Sequence, residues 1–173
     1  MSNAGSIVFS GLTPHPPIMV PEVGQEAVRN VQDSIAGMAE LTNRVLESRA
    51  DTVVLISPHA PLEADAFVAY GEPVLFGDFT RFRAPKSTFS ISVDLELLHE
   101  ISKSAFEFDY EVTMLQARSL DHGSAVPLYF LLQNGWSGRV VVLGYSFLSN
   151  RDHLSFGSCI SKAISQTDRR VAL

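Results

Sequence analysis

Two apolar runs, each leading into a histidine held among prolines, constrain this chain more than any other feature. Ile7-Val8-Phe9 precedes Thr13-Pro14-His15-Pro16-Pro17, and Val53-Val54-Leu55-Ile56 precedes Ser57-Pro58-His59-Ala60-Pro61. A short, continuous, β-rich run reads as a strand covered on both faces, as in a parallel sheet. Proline fixes its own φ and restricts the residue before it, so both loops are stiff. In open α/β sheets, ligands bind outside the C-terminal ends of the strands. Two rigidly held imidazoles in that position form the first candidate site.

The remaining pattern alternates helix and strand. Val28, Val31, Ile35, Met38 and Val45 recur at helical spacing and predict an amphipathic helix from Gln25 to Arg49. Phe67–Tyr70, Phe89–Val93, Val112–Leu115 and Arg139–Leu143 read as strands. Asp94 is the expected N-cap of a helix carrying Leu95, Leu98 and Ile101, and Asn150 of one carrying Leu154, Ile160, Ala163 and Ile164. Val126–Leu132 reads as an apolar helix stopped by Asn134-Gly135. The expectation is an α/β fold with a mostly parallel central sheet flanked by helices. Residues 1–5 read as a tag remnant or disordered start, with Ser2-Asn3-Ala4 its clearest part, and residues 6–173 as one domain. A last strand begins at Val171-Ala172-Leu173, so the fold is expected to be incomplete at its C-terminal end. Apolar surface left bare there would favour a homo-oligomer.

Several function classes find no support. A net charge of −6 argues against a nucleic-acid surface. The basic group Arg81-Phe82-Arg83 with Lys86 reads as a solvated loop. No run approaches the roughly 18 apolar residues of a membrane span, and no signal-peptide pattern opens the chain, so a cytoplasmic location is expected. Cys159, the single cysteine, excludes an internal disulfide or a cysteine-rich zinc site and reads as core. The chain has no P-loop, GxGxxG, HExxH or GxSxG motif.

Imidazole suits zinc, iron, copper and nickel, and two histidines with one carboxylate form the facial triad of non-haem Fe(II) oxygenases. His15 and His59 are therefore candidate metal ligands. His122, in Asp121-His122-Gly123, has two readings: a third ligand of a zinc-like site, or an acid/base beside the substrate. Asp121 would orient that ring or cap the following helix. Glu22 and Glu63 lie near the two loops as candidate carboxylates, although helix-dipole charge and solvated loop are the plainer readings. His99 and His153 read as surface residues.

Gly11-Leu12-Thr13-Pro14-His15-Pro16-Pro17-Ile18, Ser57-Pro58-His59-Ala60-Pro61 and Asp121-His122-Gly123-Ser124-Ala125-Val126-Pro127-Leu128 together resemble the class III extradiol ring-cleavage dioxygenases, catalytic (B) subunit type. The subgroup found fused to AMMECR1 domains is the most similar, and Memo proteins share the fold. The resemblance implies that His15 and His59 bind Fe(II), with zinc as an alternative, and that His122 lines the pocket of a small aromatic diol. It also implies a later Ser-His motif and glutamate, both absent here, so little turnover is expected from these 173 residues alone. A non-catalytic module of the same fold, working through a fused or separate AMMECR1-like partner, is the second expectation.

Overall fold

In the computed structural model of the protein, the structure describes residues 4–116 and 118–173. Ser2 and Asn3 of the expected tag remnant lie outside the described residues. Gly5 is bonded to the body of the domain, its N–H donating to the Thr167 carbonyl at 2.6 Å.

A six-stranded sheet runs in the order β1-β8-β2-β7-β3-β6. Its strands are β1 (Ser6–Phe9), β2 (Thr52–Ser57), β3 (Ala66–Tyr70), β6 (Glu111–Leu115), β7 (Arg139–Gly144) and β8 (Arg170–Ala172). All neighbouring pairs are parallel except β3 with β7. The expected α/β architecture with a mostly parallel sheet is therefore present. The continuous apolar runs are covered on both faces only inside the sheet: Val140, Val141, Val142 and Leu143 are wholly buried, as are Val68 and Ala69. The run Ile7-Val8-Phe9, expected to be buried, is instead the edge strand β1, with Ile7 41% exposed, and Ile56 at the rim end of β2 is 37% exposed.

Helices cover the sheet. Helix α2 (Gln32–Glu47) packs on α4 (His122–Gln133), and α3 (Leu95–Phe106) packs on α5 (Asn150–Ser165). A short α1 (Pro21–Gly24) precedes α2. The Gln25–Arg49 helix of the sequence reading is shorter and broken. Gln25–Val31 is 3-10 helix, and Val31, at φ −127° and ψ 24°, leaves helical geometry before α2 begins. Asp94 caps α3 as expected, accepting from the Leu97 N–H at 3.1 Å. Asn150 is not the cap of α5: Ser149 is, in a reciprocal capping box with Asp152. Helix α4 begins four residues earlier than expected, because Asp121 caps it by accepting from the Ser124 N–H at 3.0 Å.

One expected strand lies outside the central sheet. The strand placed at Phe89–Val93 belongs to β5 (Ala84–Ser92), which pairs antiparallel with β4 (Val74–Phe79) in a separate hairpin. Between them Thr80–Phe82 forms a 3-10 turn closed by Arg83 at φ 64°. This hairpin carries Arg81 and Phe82 to one side of the histidine loops.

Candidate metal centre

Strands β1 and β2 are parallel and separated by β8 alone, so their C-terminal ends open on one rim, about 10 Å apart. Each loop has only to lean inward for its histidine to meet the other. The first loop is tied at several points. The Gly11 N–H donates to the Leu173 carbonyl at 2.9 Å, and the Thr13 hydroxyl lies 3.1 Å from the Met38 sulfur on α2. Beyond His15 the chain tightens into a 3-10 turn in which the Met19 N–H donates to the Pro16 carbonyl at 3.0 Å.

The result is a cluster of the three histidines singled out from sequence. His15 Nε2 and His59 Nε2 are 3.1 Å apart. The His59 and His122 rings stack with centroids 4.2 Å apart, and those of His15 and His122 are 6.0 Å apart. His122 reaches this position because it is the first residue of α4, whose N-terminus points at the end of β2. Burial, followed by the charges of His59 and His15, holds the His122 pKa below the usual histidine value; nearby Asp121 opposes the shift. Burial and the neighbouring imidazoles thus favour the neutral form of His122.

The donor set can be tested against a metal directly. Two nitrogens in adjacent positions on one ion, with bonds of about 2.1 Å, lie about 3 Å apart. The spacing of His15 and His59 fits that requirement. The same spacing also suits an N–H···N bond between complementary tautomers. Among the described residues, no three His, Cys, Asp or Glu side chains are grouped to hold an ion together. Glu22 is exposed and accepts from the Tyr129 hydroxyl at 3.3 Å. Glu63 is exposed, and its backbone carbonyl accepts from the Phe147 N–H at 2.9 Å.

Two cavities flank the cluster. One, of about 600 Å³, is lined by His59, Tyr70, Arg81, Phe82, Arg118 and His122, among others. The ring centroids of Phe82 and His122 are 5.7 Å apart, with the ring planes inclined at 66°. Arg81, assigned to a solvated loop by its sequence, is exposed yet lines this cavity. The other, of about 650 Å³, is lined by Leu12, His15, Ile56, Pro58 and Tyr145 among others. His99 is exposed, as read from the sequence. His153 is not a plain surface residue. It is half-buried, its Nδ1 lies 2.9 Å from the Ser149 carbonyl, and its Nε2 accepts from the Ser146 N–H at 3.4 Å. Cys159 is fully buried in α5.

Sequence reasoning missed Ser57, Tyr70 and Arg118. Ser57 is wholly buried despite its hydroxyl, and Tyr70 is a polar-tipped aromatic closing an otherwise apolar strand. A hydroxyl that must be buried needs a partner, and that was the available signal.

A mostly parallel sheet with convergent histidines beyond its strand ends defines an α/β domain with one polar site on its rim. Residues 10–173 match the family described as the catalytic LigB subunit of aromatic ring-opening dioxygenase, and the chain belongs to that family. Among curated proteins it is similar to Protein CA_C1420 of Clostridium acetobutylicum, at 27% identity over 168 residues. That match covers 90% of this chain and 35% of the relative, so the chain spans about a third of the relative's length. No helix among the described residues is long and apolar enough to cross a membrane.

Proposed function

We propose that this domain binds a divalent metal, Fe(II) by preference and zinc as the alternative, through His15 and His59, and that the full-length protein uses this site to open the ring of a small aromatic diol. The convergence of their Nε2 atoms at 3.1 Å, with His122 stacked alongside, carries the reading. Family membership supports the chemistry, since its members are described as ring-opening dioxygenases. Iron held there supplies open coordination positions and one-electron reactivity. The protein's own groups do the rest. His122, which lines the pocket, takes a diol proton on a ring nitrogen. Phe82 offers an aromatic ring against which the substrate ring packs, and Arg81 and Arg118 meet an anionic substituent. Both atoms of dioxygen enter the product as the carbon–carbon bond beside the diol breaks. We take the domain to be cytoplasmic, with no nucleic-acid or membrane partner, and include self-association in the proposal.

Catechol-dependent oxygen uptake after anaerobic loading with Fe(II) tests this reading. Uptake that His15→Ala abolishes supports it. No uptake by the full-length protein across a series of neutral and acidic catechols contradicts it. A second reading, a non-catalytic module working with an AMMECR1-like domain as Memo-like relatives would, is favoured by one observation: no third ligating side chain joins the pair among the described residues. It predicts that His59→Ala leaves partner binding intact.

A further inference from the structure

His59 and His122 need something to aim them. A metal-binding imidazole is usually oriented by a hydrogen bond at its second ring nitrogen. Among the described residues, the one hydrogen bond to a ring nitrogen in this cluster is that between His15 and His59. The aim of His59 and His122 therefore comes through their backbones, and both backbones lead to the same carboxylate. Asp121 Oδ1 accepts from the Ser57 hydroxyl at 2.6 Å and from the Ser124 N–H at 3.0 Å. Its Oδ2 accepts from the Tyr70 hydroxyl at 3.0 Å and the Ser124 hydroxyl at 2.8 Å. The Ser57 oxygen in turn accepts from the His59 N–H at 3.2 Å, and the Tyr70 oxygen from the Asp121 N–H at 3.2 Å.

We propose that Asp121 is the shared positioning residue of the site, clamping the His59 loop at the end of β2 to the first turn of α4 through Ser57 and anchoring both to the end of β3 through Tyr70. The inference rests on the metal-site reading only for its functional consequence; the clamp itself is a property of the metal-free protein. A second, independent feature agrees. A Cβ on Gly123 would lie 2.6 Å from Ser57 Oγ and 3.0 Å from both Asp121 Oδ1 and His59 Cδ2, so the strand end and the helix touch without room for a methyl group. Tyr70 is suited to permanent donation. It is 2% exposed, and burial together with the Asp121 charge raises its pKa well above the ordinary phenol value. Ser57 serves His59 alone, whereas Asp121 serves both rings, so the clamp has a direction.

Histidine ring signals of the metal-free protein test the clamp, in parallel with Co(II) titration followed by its visible spectrum. Asp121→Asn and Tyr70→Phe should move the signals of both His59 and His122 and weaken Co(II) binding by about ten- to a hundredfold. Ser57→Ala should move His59 while leaving His122 near its wild-type position. Asp94→Asn, which unsettles a distant helix cap, controls for general destabilisation and should leave rings and Co(II) affinity unchanged. Wild-type ring signals in folded Asp121→Asn and Tyr70→Phe proteins would overturn the proposal, as would equal shifts in the Asp94→Asn control. If the wild-type protein takes up no Co(II), the metal reading fails, and the ring signals alone decide the clamp.

Discussion

Gly123 is the residue at which one methyl group would disturb the whole site. Its Cβ would meet Ser57, Asp121 and the His59 ring at once. Gly123→Ala should cost about 1–3 kcal/mol of stability, as overpacking does, and should displace His59; urea unfolding and metal affinity read the two effects separately. His122→Ala should behave differently. It removes a proton acceptor and not a proposed ligand, so metal affinity should hold while turnover falls by about a hundredfold or more, visible as lower kcat for oxygen uptake. At this scale the sequence was legible where local chemistry is self-evident. Prolines beside His15 and His59 announce rigid loops without tertiary knowledge. Ser57 and Tyr70 carry no such local mark, because their roles arise only when α4 brings Asp121 between them.

Helix α3 depends on one buried ion pair. Asp94 accepts from the Leu97 N–H at 3.1 Å, from the Thr52 hydroxyl at 2.8 Å and from Arg169 Nε at 2.7 Å. Its side chain is fully buried, while that of Arg169 is 15% exposed. Burial alone would raise the Asp94 pKa, but the Arg169, Leu97 and Thr52 bonds together hold it below the usual carboxylate value. A carboxylate whose folded pKa is depressed adds stability above its unfolded pKa, about 3.9, and loses that contribution as pH falls through the folded value. Urea midpoints should therefore fall below about pH 4, and Asp94→Ala should flatten that part of the curve while costing about 3 kcal/mol at neutral pH. Ser149→Ala should cost α5 about 1 kcal/mol, read from thermal melting. Elements were legible where period and cap agree, as at Asp94. They were misjudged where neighbouring residues compete for a role: Ser149 outcompetes Asn150 as a cap because Asp152 can answer it. The break after Val31 has no apolar-pattern signal, since the helical spacing continues across it.

Over the whole molecule, alternation of apolar runs with amphipathic stretches was enough to indicate a mostly parallel α/β sheet. The order of its strands was not legible. The placement of β8 between β1 and β2 depends on pairing across more than a hundred residues, and it sets the gap that His15 and His59 close. The pairing of β5 with β4 was hidden for a similar reason: a strand's own alternation does not say which sheet it joins. What the site does with its two histidines remains the central claim, and anaerobic Fe(II) titration of the wild-type, His15→Ala and His59→Ala proteins tests it most directly. The account predicts one ion per chain in the wild type and loss of that binding in each variant. Undetectable binding in the wild type, or equal binding in all three, would contradict it.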